Sequence, residues 1–122
     1  FPDVTMCPDA INAAVILTKM SKENSISTLL ASFPRYIVLK ESIYGPGNAE
    51  LFNKKLADRL RELDSKDIWE TEGGRVGMSR GWFAISRSVE NPEYIDVTAE
   101  SEDKAYAVSM MELAKDIVRG CL

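Results

Sequence analysis

Between Gly81 and Ser101 the sequence GWFAISRSVENPEYIDVTAES passes twice through strict alternation, with a polar break between. Trp82 to Ser86 sets Phe83 and Ile85 on one face and Ala84 and Ser86 on the other. Tyr94 to Ala99 sets Ile95, Val97 and Ala99 against Asp96 and Thr98. Period-two alternation rich in β-branched and aromatic residues marks half-buried antiparallel strands. The tight loop that joins them, Arg87-Ser88-Val89-Glu90-Asn91-Pro92-Glu93, gathers an arginine, a hydroxyl, an amide and a proline at one sheet end. Loops held up by rigid strands are where binding groups tend to sit.

Around that core the rest of the chain falls into place. Phe1 to Cys7 reads as an irregular lead-in, and Pro8-Asp9 opens a helix with proline in its tolerated first turn. Ala10 to Met20 is apolar nearly all round, and Ser25 caps a second short helix that Pro34 stops. Arg35 to Tyr44 reads as a strand with Tyr36, Val38 and Lys40 on one face and Ile37 and Leu39 on the other. Gly45-Pro46-Gly47 breaks it, and Asn48 caps a helix whose Phe52, Leu56, Leu60 and Leu63 recur at helical spacing. Asp67 to Met78 reads as a hairpin arm, or one strand broken at Gly73-Gly74, with Ile68, Val76 and Met78 toward the core. Ser101 is the expected cap of a last helix with a buried stripe of Tyr106, Met110, Leu113 and Ile117. The pair Met110-Met111 reads as core filler.

From Arg35 on, this order predicts an α+β domain: a four-stranded antiparallel sheet covered on one face by two helices, preceded by an N-terminal helical segment. The domain boundary falls between residues 34 and 35. A net charge of −4 and a pI near 4.9 disfavour nucleic acid or an anionic membrane as main partner. No apolar run approaches membrane-spanning length. The chain lacks histidine altogether, which removes Ser/His and Cys/His catalysis and histidine metal sites. Cys7 and Cys121 stand at opposite ends without C-x-x-C spacing and are expected as free thiols in a reducing cytoplasm. The acids Glu70 and Glu72, or Glu100, Glu102 and Asp103, lack the spacing of a metal loop and read as solvated.

The strand–loop–strand stretch resembles the closing motif of the α-D-phosphohexomutases, the phosphoglucomutase/phosphomannomutase family. There a strand of the type G-W-V-L-V runs into R-P-S-G-T-E-P and then a strand of the type L-I-R-I-Y-A-E. Anchored on the strands, Arg87 falls on the family's loop arginine and Tyr94 to Glu100 on its closing strand. S-V-E-N-P-E stands in place of P-S-G-T-E-P, and a one-residue slide instead matches Ser88 and Pro92 to the family's serine and second proline. Asp96, or Ile95 in the shifted register, replaces the family's second arginine. Upstream, Phe1, Asp3 and Asp9 match the F-x-D-x-x-x-x-D-G form of the family's third domain, with Ala10 for the glycine.

The resemblance implies residues 1–34 as the helical tail of a preceding α/β domain and 35–122 as the fourth, TATA-binding-protein-like domain. In that family the loop cradles a sugar phosphate, which assigns Arg87, Ser88 and Asn91 to phosphate binding and no residue here to catalysis. The phosphoserine and the Mg²⁺-binding acids lie upstream in the family, so no cofactor is expected in this chain and Mg²⁺ only in a full-length parent. The expected partners are a hexose phosphate together with upstream domains, with no nucleic acid or membrane, and self-association is possible for a fragment. The chain begins at Phe1, which reads as a fragment that is catalytically inert alone. The alternative reading is a non-catalytic interaction module that kept the fold and lost the phosphate loop. Two observations frame the choice. From Arg80 to Glu100 two arginines face four acids, a net of −2, and no glycine lies between Arg87 and Glu93.

Overall fold

The computed structural model describes residues 9–70 and 73–122. The chain divides into two compact units, Phe1–Pro34 and Arg35–Leu122. The expected lead-in over Phe1 to Cys7, the matches at Phe1 and Asp3, Cys7 and Glu72 lie outside the described residues.

The first unit carries α1 (Ala10–Ser21) and α2 (Ile26–Ser32). Each starts on a side chain that accepts an otherwise orphaned helix N–H. Asp9 accepts from the Asn12 amide at 3.0 Å, and Ser25 accepts from the Thr28 amide at 3.2 Å. Neither helix buries a residue, and Ile11, Val15, Leu17, Leu30 and Phe33 are exposed.

The second unit holds β1 (Ile37–Tyr44), α3 (Ala49–Arg61), β2 (Asp67–Trp69), β3 (Gly73–Met78), β4 (Gly81–Arg87), β5 (Tyr94–Ser101) and α4 (Lys104–Cys121). The strands form one antiparallel sheet in the order β1-β5-β4-β3-β2. The α+β class therefore holds, with five strands where four were expected. The additional strand arises because the Asp67–Met78 arm folds back on itself, pairing Asp67 with Gly77 and Trp69 with Arg75. Glycine is required at the start of β3. Gly73 sits at φ +142°, and a Cβ there would meet the Ile85 carbonyl. At Gly74 a Cβ would fall on Leu60 Cδ1, so α3 lies close against the sheet at that point.

The core forms between one sheet face and both helices. Phe52, Leu56 and Leu60 from α3 meet Val76, Phe83, Ile85, Ile95, Val97 and Ala99 from the strands. From α4 the buried residues are Ala107, Met110, Met111, Ala114, Val118 and Cys121, while Tyr106, Leu113 and Ile117 pack half-buried at the flanks. The expected α4 stripe is thus shifted: Met110 is buried as expected, but Ala107, Met111, Ala114 and Val118 join it in the core while Tyr106, Leu113 and Ile117 seal the sides. The cap of α4 also differs from expectation. Asp103, not Ser101, accepts the Tyr106 amide at 2.9 Å, because Ser101 ends β5 and its hydroxyl donates to the Arg80 carbonyl at 2.7 Å. Glu41 points to the helix side of β1, where Lys115 of α4 reaches it at 2.9 Å and Glu112 at 3.0 Å.

Candidate functional site

Neither α3 nor α4 packs on the opposite sheet face, and the strand register fixes which of its side chains meet. Nearest the β4–β5 loop, Tyr44 stands beside Tyr94 with ring centroids 5.5 Å apart. On the next rung Asp96 lies between Ser42 of β1 and Ser86 of β4, and on the one after it Thr98 lies between Lys40 and Ala84. Beyond that, Glu100 lies between Val38 and Trp82, whose indole N–H donates to Glu100 at 3.1 Å. The two middle rungs and the loop line an open concavity of about 560 Å³, with Lys40, Ser42, Ser86, Ser88, Glu90, Asp96 and Thr98 among its lining residues.

The three residues assigned to phosphate binding lie together in the loop, but they face different ways. Arg87 stands opposite Ile95 in register, so its side chain leaves the sheet on the helix side. Its Nη1 donates to the Pro92 carbonyl and, at 3.3 Å, to the Gly45 carbonyl, and the guanidinium lies 5.5 Å from the Phe52 ring centroid. Its Nε is buried and has no hydrogen-bond partner among the described residues. Next to it a cavity of about 60 Å³ opens among Asn48, Phe52, Lys55 and Cys121. A backbone bond from the Gly45 amide to the Glu93 carbonyl at 2.8 Å ties the same two loops together. Arg87 therefore braces the β1–α3 connection against the β4–β5 loop.

Ser88 lies on the concave side, half-buried, its amide donating to the Tyr94 carbonyl at 2.9 Å. Asn91 closes the turn: its Oδ1 accepts the Glu93 amide at 3.1 Å and its carbonyl accepts the Tyr94 amide at 2.9 Å. The amides of Val89, Glu90 and Asn91 find no acceptor among the described residues. Amides without an internal acceptor are available to solvent or to a ligand.

Asp96 accepts the Ser42 hydroxyl at 2.6 Å and has no cation within ion-pair distance among the described residues. The pairing of Lys40 and Ser42 with this strand was missed in the sequence, because β1 meets β5 only across a long chain separation. The remaining candidates are committed elsewhere. Glu70 holds Arg61 through two bonds at 2.9 and 2.6 Å, and Arg80 reaches Asp103 at 3.0 Å over the Tyr106 ring. Arg75 lies 3.7 Å from Asp67 and stacks on Trp82 at 4.9 Å. No three cysteine or acidic groups converge on a metal position among the described residues. Among those residues no helix is long and apolar enough to cross a membrane.

No family model matches the chain. Individual proteins do. A protein of Methanopyrus kandleri named "Probable phosphoglucosamine mutase" is 35% identical over 124 residues, covering 99% of this chain and 27% of that protein. One of the same name from Methanocella arvoryzae is 31% identical, covering 100% of the chain and 28% of that protein. A third, from Pyrococcus furiosus, is 26% identical over 97% of the chain. The chain spans little more than a quarter of the length of the curated relatives it matches. Along its whole length, then, the chain is similar to proteins named phosphoglucosamine mutase, and the phosphohexomutase family fits it.

Proposed function

We propose that this chain is the C-terminal part of a cytoplasmic phosphohexomutase-like protein, comprising the tail of a third domain and the fourth domain that closes over a hexose phosphate. The observation that carries the reading is likeness along the whole chain to relatives of which it makes up little more than a quarter. Their name points to a hexosamine phosphate as the substrate class. The loop supplies the means of holding a phosphate. Arg87 braces the turn and contributes positive charge beneath it, while Ser88 on the lining of the concavity and the free amides of Val89 to Asn91 supply donors for the anion, with the Asn91 side chain at the turn outside that lining. Such donors hold a phosphate by charge-assisted hydrogen bonds without taking part in bond making. The phosphoserine and the Mg²⁺-binding acids belong to the upstream part of the parent, and the isolated chain turns over nothing.

A second reading, an interaction module on an inherited fold, is favoured by one observation: the Arg87 guanidinium is committed to two backbone carbonyls. An amide-resolved NMR titration with glucosamine 1-phosphate decides between the two. Saturable shifts at Ser88 to Asn91 that are lost in Ser88→Ala support the phosphate-holding domain. A flat response up to about 50 mM, a concentration that reveals even affinities far weaker than millimolar, overturns it in favour of the module.

A further inference from the structure

Asp96 is hard to account for in a site that holds only a phosphate. It lies on the floor of the concavity, half-buried, one rung from the loop. One rung is two residues along a strand, about 7 Å. The Ser42 hydroxyl occupies one carboxylate oxygen at 2.6 Å and fixes the group's direction. No cation among the described residues comes within ion-pair distance, although Lys40 faces the same concavity from the next rung. A half-buried carboxylate that is oriented by a neighbour and left without a counter-charge is a seat for a cation carrying its own hydrogen-bond donors.

We infer that Asp96, held by Ser42, binds the ammonium group of an amino-hexose phosphate whose phosphate rests on the Ser88–Asn91 loop. This rests on the phosphate-holding reading and adds the group that selects the sugar. An amine on the ring carbon next to the phosphoester lies close enough to the phosphate to span one rung of the sheet. Ser86 beside Asp96 and Thr98 on the next rung are placed to meet ring hydroxyls. A sugar bearing a hydroxyl in place of the amine would leave the carboxylate unneutralised beside a dianion, and like charges so placed disfavour binding.

The test compares glucosamine 1-phosphate with glucose 1-phosphate by NMR titration of the chain and of Asp96→Asn. The asparagine is isosteric and its Oδ1 still accepts from Ser42, so β1–β5 pairing is retained and is checked in the amide spectrum. The native chain is expected to bind the amino sugar about tenfold more tightly, a difference typical of one charge-assisted hydrogen bond. Asp96→Asn is expected to abolish that preference by weakening glucosamine 1-phosphate while leaving glucose 1-phosphate equal or tighter. Ser42→Ala should reduce the preference partially. Equal affinity of the native chain for both sugars, or an equal loss of both in Asp96→Asn, overturns the role of Asp96 and leaves the phosphate loop standing. Failure of both sugars to shift Ser88 to Asn91 overturns the phosphate loop and the inference together.

Discussion

Replacing Arg87 tests whether its guanidinium is a structural brace or a ligand in waiting. In Arg87→Ala the bonds to the Gly45 and Pro92 carbonyls vanish, together with the stacking on Phe52. Each bond is charge-assisted but only partly shielded, so about 1 kcal/mol apiece is reasonable, and the ring contact adds about 0.5–1 kcal/mol. Against this, the mutation relieves the buried, unpartnered Nε, a cost of about 1 kcal/mol in the native chain. The expected net loss is about 1–2 kcal/mol. With a urea dependence of about 1.5 kcal/mol/M, the midpoint falls by about 1 M. Both tryptophans, Trp69 and Trp82, lie in the Arg35–Leu122 unit, so fluorescence reports on the unit that contains the brace. Arg87→Lys keeps the charge but not the planar fork, and should recover less than half of the loss. A stability within about 0.3 kcal/mol of native for Arg87→Ala would refute the bracing role, since surface substitutions fall in that range. The guanidinium would then be free to serve a ligand.

Three further outcomes follow from packing and charge. Leu60→Ala should cost about 2–5 kcal/mol and Gly74→Ala about 1–3 kcal/mol. Because the new methyl would occupy the place of Leu60 Cδ1, the double variant in urea unfolding should fall short of the sum by at least about 1 kcal/mol, and strict additivity would contradict the contact. The Asp103 carboxyl is held below its usual range by the Tyr106 amide it accepts, with Arg80 beside it. Its contribution is complete above the ordinary carboxyl value of 3.8 and is lost as pH falls through the lower native value, so Asp103→Asn should flatten the acid limb of the stability profile there. An unchanged limb would remove Asp103 from that linkage. Burial pushes the Cys121 thiol up, so in the folded protein it should resist alkylation, read site by site by mass spectrometry, and react readily in urea. Equal labelling in both states would contradict its burial.

Much of the fold was legible because each element carried its own signal. The alternation of β4 and β5 set Phe83, Ile85, Ile95, Val97 and Ala99 on the buried face, and the Phe52-Leu56-Leu60 spacing gave the buried stripe of α3. The α4 stripe was less legible, because apolar residues surround much of that helix. Ala107, Ala114 and Val118 face the sheet for reasons of close packing that residue size in the sequence does not announce. The direction of Arg87 was present in the pattern, since it continues the parity of Phe83 and Ile85. Reading the arginine only as a loop residue hid that. What local pattern could not reveal was the pairing of β1 with β5, which brings Lys40 and Ser42 beside Asp96 from a distant part of the chain.

That long-range pairing changes the meaning of the loop's acidic balance. Counted along the sequence, four acids against two arginines disfavour a phosphate. In space the acids take different places. Glu100 accepts from Trp82, Glu90 lines the rim of the concavity in the loop, and Asp96 lies on its floor, directed by Ser42. On the proposed phosphate seat, an acid one rung away would penalise a bare sugar phosphate and favour one that brings its own cation, so a single residue would supply both repulsion of the wrong ligand and attraction of the right one. The consequence is asymmetric. Neutralising Asp96 should not weaken every sugar phosphate alike; it should impair glucosamine 1-phosphate while leaving glucose 1-phosphate equal or tighter. A purely structural role for Asp96 would move both affinities in the same direction.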